Sequence, residues 1–379
     1  MRIGIDARML GTGYGIGRYI EQLIEYLALI DRENEYVLFV KEQGTRNKEQ
    51  GTKLPENFRE VLADFPWYSW EEHLKLSQII KQAKVDLMHF PHWNVPLTYN
   101  DPFVLTIHDL TMFHYPRPEA TTLGPMKFWL KDQAHRLVIR HAVKRAKHIM
   151  VMSEWVKRDV HETLGVPQEK MTVTYQAPFT RSAFSVQRSA SILEKYKIQK
   201  PFILYVGAAY PHKNLTGLLK AWEIFCKKYG NGNQLVLAGK EDYFYKRLKG
   251  SAFTHYPLPI IFTGLVSDEE LDCLYQSASL FVFPSLSEGF GLPPLEAMAQ
   301  GVPVVSSNRT CLPEVLGEAA LYFDPENYEQ MAEVIYRGLT DEEARFELRQ
   351  KAPAELKRYS WEKLVRRTIG VYEKLETRN

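Results

Sequence analysis

Leu280–Phe283 is a four-residue apolar run closed by Pro284, and a polar, glycine-bearing loop, Ser285–Leu292, follows at once. The run suits a buried strand. Pro293 and Pro294 then open a helix, since proline is tolerated where the backbone N–H would have no helical partner. Leu295, Met298 and Ala299 give that helix an apolar side, Gly301 ends it, and Val302–Val305 reads as the next buried strand. Open parallel sheets hold their ligands at such a loop, beyond the carboxyl end of a strand. The amides of Gly289, Phe290 and Gly291 lead into a helix N-terminus, where unpaired N–H groups and the helix dipole favour an anion such as a phosphate.

Glu288 in the loop and Glu296 in the first helical turn bracket that anion site. On one reading Glu296 compensates the dipole and Glu288 is a solvated loop charge. On the other, both serve a ligand. A carboxylate beside a phosphate repels it, so it more naturally accepts hydrogen bonds from hydroxyl groups of the same molecule. A ligand carrying phosphates and many hydroxyls is a sugar nucleotide. Glu288 and Glu296, with seven residues including two glycines between them, resemble the Glu-x7-Glu motif of retaining glycosyltransferases of family 4. The run FPSLSEGFGLPPLEAMAQGVPVV, followed by LPEVLGEAALYFDP, is similar to that family almost position for position.

At 379 residues the chain favours more than one domain, because single cores stop growing near roughly 250–300 residues. A formal charge of +2 gives no global argument for nucleic acid. Cys226, Cys273 and Cys311 show no paired spacing, so neither a zinc site nor a disulfide framework is expected. MRIGIDARML lacks the apolar core of a signal peptide, and no run approaches the roughly 18 apolar residues of a membrane span. A cytoplasmic protein, at most peripheral to a membrane, is the expectation.

The chain begins with a strand, Arg2–Ala7, a glycine loop and a helix with Ile16, Ile20, Leu23, Ile24 and Leu27 on one face. The glycine spacing fails the dinucleotide fingerprint. Gly13, Gly15 and Gly17 still allow close approach of backbone to a ligand. Tyr36–Val40, Val85–Phe90, Phe103–Ile107, Ile149–Met152 and Met171–Tyr175 are further strand candidates. His108 and Asp109 stand at a strand's carboxyl end, and Pro91–Asn94 and His114–Pro118 are candidate acceptor loops at the same sheet edge. Lys127–Arg158 holds nine Lys/Arg against two acidic residues, a local net charge of +7. Either this segment meets anionic lipid, or it is a solvated helix face with Leu130, Ala134, Leu137 and Val138 in the core. The second reading is preferred. Ser153 reads as an N-cap. The Ser/Gln/Lys-rich stretch Phe179–Lys200 reads as a connector, after which a second βα series starts at Phe202. There Asn214 reads as the N-cap of LTGLLKAWEIF, and Ser267–Glu270 is a strong helix start.

The expected fold class is therefore α/β, of the GT-B type: two Rossmann-like domains facing across a cleft. Residues 1–180 would form an acceptor-side domain, 181–200 a connector, and 201–358 the nucleotide-sugar domain, with an amphipathic helix in 359–379 crossing back. The resemblance implies further roles. Lys213 would hold the donor diphosphate together with the Gly289–Leu292 amides and the Gly15/Gly17 loop. Val266 would lie against the nucleobase, Glu288 against sugar hydroxyls, Glu296 against the ribose, and His108 against the transferred sugar. Relatives often carry an arginine where this chain has Ala208 and Ala209, and Arg18 is the expected substitute. Gln176–Pro178 replaces an Asn–Gly pair. The activity implied is metal-independent, cofactor-free, retaining transfer of a hexose from a nucleotide diphosphate sugar to a hydroxyl of a glycan or lipid-linked acceptor. The opening IDARML and GIGRY look most like mannosyltransferases of polysaccharide synthesis, which points to GDP-mannose. A UDP-sugar hexosyltransferase, a sugar-nucleotide epimerase, a phosphorylase, an NAD-dependent oxidoreductase and a non-catalytic sugar-binding protein are the competing readings.

Overall fold

The computed structural model describes residues 1–11, 15–42, 54–65, 69–116, 124–179, 186–252 and 258–377. Gly13 and residues 117–118 of the expected acceptor loop lie outside the described residues. The chain divides into two compact units, one of Met1–Phe113, Leu123–Gln176 and Ser360–Asn379, the other of His114–Thr122 and Ala177–Tyr359.

The first unit is built on β1 (Arg2–Asp6), β2 (Glu35–Val40), β3 (Phe58–Leu62), β4 (Leu87–Phe90), β5 (Phe103–Ile107), β6 (His148–Val151) and β7 (Met171–Val173). Their order across the sheet is β3-β2-β1-β4-β5-β6-β7, with all neighbours parallel. β4 and β5 are buried along their whole length, as expected where helices cover both faces of a parallel sheet. The chain runs outward from β1 to β3 and then returns to β4. The order therefore reverses between β1 and β4, and their carboxyl ends form the crevice where such sheets take ligands.

The second unit has β8 (Phe202–Val206), β9 (Gln234–Ala238), β10 (Ile260–Gly264), β11 (Leu280–Phe283), β12 (Val304–Ser307) and β13 (Ala320–Phe323). The order is β10-β9-β8-β11-β12-β13, again parallel throughout. Here the reversal falls between β8 and β11. This is the physical reason that the loop after β8, which carries Lys213, lies beside the loop after β11, which carries Glu288.

The stretch expected to be connector includes a helix, Val186–Lys195, whose end pairs with the Asp268–Ser277 helix through Lys195 and Glu270. Three sequence expectations need correction. Of the four residues assigned to the core of the long basic helix, Pro125–Arg145, only Val138 is buried; Leu130, Ala134 and Leu137 are exposed. Asn214 begins the Leu215–Tyr229 helix in a left-handed conformation (φ 57°) and makes no side-chain cap. Its amide instead donates to the Pro325 carbonyl at 2.8 Å. Finally, Gly291 is the N-cap of the Leu292–Ala299 helix, so Glu296 lies beyond the first turn and is not a dipole-compensating residue there. Ser153 and Ser267 cap their helices as read, the latter in a full capping box with Glu270.

The last helix, Trp361–Glu376, belongs to the first unit and packs on the Gly15–Ile30 helix. It buries Trp361, Leu364, Val365, Val371 and Tyr372. Tyr372 meets His89 Nδ1 at 2.7 Å, and His89 Nε2 meets Thr106 Oγ1 at 2.8 Å. Complete burial pushes the His89 pKa down to about 3. The unfolded chain takes up this proton as pH drops through about 6.5 while the folded protein does not, so this group lowers stability as pH falls, by up to about 1.4 kcal/mol per unit between about pH 6.5 and 3. Urea unfolding between about pH 6.5 and 5 will show one proton fewer taken up on unfolding for His89→Gln than for the parent. Equal slopes would remove His89 from this account. Among the described residues no helix is long and apolar enough to cross a membrane.

Candidate active site

In the second unit Lys213 Nζ donates to Glu288 Oε1 at 2.6 Å, with the side chains 20% and 11% exposed. Sequence reasoning assigned these two groups to different parts of a ligand; the structure joins them directly. Two left-handed residues flank the pair. Asn214 follows Lys213, and Thr310, at φ 55°, accepts the Glu288 N–H on Oγ1 at 3.1 Å. A β-branched residue in that region is strained. It is held there while the next residue, Cys311, donates Sγ–H to the Glu288 carbonyl at 3.3 Å. Leu286 N–H bonds the His212 carbonyl at 2.7 Å, which ties the β8 and β11 loops together.

The loop then runs through Gly289 and Phe290 to Gly291. Phe290 is buried, its ring edge-on to Tyr359 at 5.3 Å, and so anchors the turn. Gly291 sits at φ 89°, and a Cβ there would come within 2.8 Å of Leu312 Cδ2. Only glycine meets both demands. Pro293 and Pro294 have no N–H, so the amides at this helix start are those of Gly291 and Leu292. Glu296, one turn further in and buried, accepts the Tyr275 hydroxyl at 3.0 Å. Val266 is half-buried between Gly264 (φ 73°) and the Ser267 cap.

In the first unit Gly15, Gly17 and Arg18 lie in the first turn of the Gly15–Ile30 helix, where Gly15 is exposed and Gly17 buried. His108 follows β5. Its Nε2–H donates to the Pro91 carbonyl at 2.9 Å, and its Nδ1 faces the Gln176 amide at 3.3 Å. Burial lowers its pKa, against the raising effects of Pro91 and Asp109. The ring is therefore neutral near pH 7, with its proton fixed on Nε2 by the carbonyl. Tyr19 packs edge-on at 4.8 Å. A histidine held this way is fixed in orientation and uncharged.

Sequence reasoning gave no role to the charged cluster at the β1/β4 crevice. Arg8, with a side chain 0% exposed, bonds Asp6 Oδ2 at 2.7 Å and Glu72 Oε1 at 2.7 Å. Asn94 Nδ2 also donates to Glu72 Oε1, at 2.8 Å. A small cavity with room for about one water-sized group is lined by Asp6, Met9, Ile20, Pro91, His92 and Asn94. The buried Asn94 Oδ1 has no hydrogen-bond partner. A buried acceptor oxygen on a residue that lines a small cavity is suited to a hydroxyl donor. The available signal was the Asp–Ala–Arg run at the end of β1. Thr310 and Tyr275 were missed as well, and nothing in their local sequence marks them.

Two doubly wound parallel sheets, each with loops gathered at its reversal point, define the GT-B class. The chain belongs to the glycosyltransferases: the family described as "Glycosyl transferases group 1" matches residues 190–355, and "Glycosyltransferase Family 4" matches 14–177. It is 31% identical over 286 residues to the O-antigen chain mannosyltransferase RfbU of Salmonella typhimurium, covering 73% of this chain and 74% of that one. Against O-antigen chain mannosyltransferase B of Escherichia coli it is 28% identical over 383 residues, covering 95% and 96%. Among solved structures, the sucrose-phosphate synthase of Thermosynechococcus elongatus superposes with a TM-score of 0.75 at 19% identity, over 100% of both chains.

Proposed function

We infer that this glycosyltransferase is a retaining mannosyltransferase of polysaccharide assembly, moving mannose from GDP-mannose to a hydroxyl of a glycan or lipid-linked acceptor. The observation that carries the reading is the Lys213–Glu288 pair set at the start of the Gly289–Leu292 loop. A cation and amides stabilise charge on a departing diphosphate, and a carboxylate beside them takes sugar hydroxyls. The named mannosyltransferase relatives supply the sugar. In this reading Glu296 holds the ribose, Val266 lies against the base, and Gly15, Gly17 and Arg18 complete the diphosphate site. His108 steadies the transferred sugar, and the Asn94 cavity receives an acceptor hydroxyl. The leaving phosphate accepts the acceptor's proton on the same face, and in this reading neither a metal nor a further cofactor takes part. The protein acts in the cytoplasm, at the inner face of a membrane where a lipid-linked acceptor lies.

A screen of nucleotide sugars by thermal unfolding tests the donor. GDP-mannose at 100 times its dissociation constant adds about 2.7 kcal/mol of stability, and UDP-sugars at the same concentration add far less. Release of GDP must then depend on added acceptor, persist in EDTA, and yield an α-linked product by NMR. A larger shift with a UDP-sugar overturns the donor, and conversion of the donor without acceptor overturns transfer.

A further inference from the structure

The Pro125–Arg145 helix turns apolar side chains in two opposite directions. Ile139, Ala142 and Val143 are buried against the first unit's core. On the other side Met126, Trp129, Leu130 and Leu137 are 76%, 58%, 56% and 59% exposed. Positions 126, 130 and 137 fall on one stripe of a helix, with Trp129 beside it. Single exposed hydrophobics are ordinary, but four large ones within twelve residues make a patch. Exposed basic residues surround it. Arg140 and Lys144 continue the stripe toward the helix's carboxyl end, and Lys127 and Lys131 flank it. The helix carries six Lys/Arg and one acid, a net charge of +5, and that acid, Asp132, is held by Arg136 at 2.7 Å.

We propose that this face is a membrane-contact surface, on which the helix lies in the interfacial plane of an anionic bilayer. Met126, Trp129, Leu130 and Leu137 enter the boundary between headgroups and acyl chains, with Trp129 suited to that depth by its amphipathic ring. Lys127, Lys131, Arg140 and Lys144 meet lipid phosphates. Charge selects this occupant over a second copy of the chain, which would set two such basic faces together, whereas anionic lipid neutralises them. The surface gives the peripheral contact of the proposed function its residues. Its test needs neither donor nor acceptor, so a failure here leaves the transfer reading standing.

The experiment is density flotation of the full chain with vesicles of phosphatidylcholine alone and of phosphatidylcholine with phosphatidylglycerol. The protein floats with the anionic vesicles only, and raised salt weakens the association. The double variants Leu130→Glu/Leu137→Glu and Lys131→Glu/Arg140→Glu each lower partition by about tenfold or more. Their circular dichroism and melting stay as in the parent, because all four positions are exposed. Failure of the parent to float, or parental flotation of either variant, overturns the proposal. Light scattering that shows a dimer broken by Leu130→Glu/Leu137→Glu overturns it too, in favour of a second copy on this face.

Discussion

Lys213→Ala lowers turnover on the order of 10²-fold or more at saturating donor, the usual cost of removing one group that stabilises charge on a leaving anion. Glu288→Gln gives a fall of similar size, but the two variants part in how they bind nucleotide. The ammonium is engaged by Glu288 at 2.6 Å. An arriving diphosphate must compete with that carboxylate. Glu288→Gln removes the competitor, so GDP binds as tightly as before or more tightly while transfer is lost. Lys213→Ala removes the attraction, so GDP binds more weakly. Because the side chains touch, the effects will not add in the double variant. Calorimetric GDP titration together with single-turnover rates separates the cases. Near-parental rates in either single variant would reject its assignment.

What the sequence made legible follows from burial. Strands covered on both faces must be largely apolar, so β2, β5, β8 and β11 stand out as runs. β3 does not. It lies at the sheet edge, and Arg59 and Glu60 break its run. The same logic hid the exposed side of the Pro125–Arg145 helix. With apolar residues on two faces there is no single amphipathic period to read, and Leu130 and Leu137 look like core although they are exposed. For the site, glycines and prolines marked the β11 loop because a left-handed turn and a helix start demand them. The meeting of Lys213 with Glu288, 75 residues apart, is set by strand order. Local pattern carries no such information. Thr310 is less legible still, since its left-handed backbone is imposed by the packed loop around it.

Arg8→Ala destabilises the protein by about 3–5 kcal/mol, the range for breaking a buried ion pair from one side. The guanidinium is fully enclosed and spans two carboxylates, Asp6 and Glu72, that are themselves 9% and 1% exposed. Without it, two like charges remain in a poorly solvated place and have lost the cation between them. Arg8→Lys recovers little, because a point-charge ammonium cannot reproduce the forked contact to both partners. A second substitution identifies the cause. Glu72→Gln is costly in the parent, where it removes a partner of Arg8, but close to neutral or stabilising on top of Arg8→Ala, where it removes an uncompensated charge. Urea unfolding of the four proteins measures this coupling. A loss below about 1 kcal/mol for Arg8→Ala, or strictly additive effects, would mean that water already reaches the cluster. The consequence extends to the crevice, because Asn94, which lines the cavity, is oriented by Glu72 at 2.8 Å. In the proposed reaction, loss of Arg8 is therefore expected to weaken acceptor use more than binding at the Lys213–Glu288 pair, which belongs to the other unit.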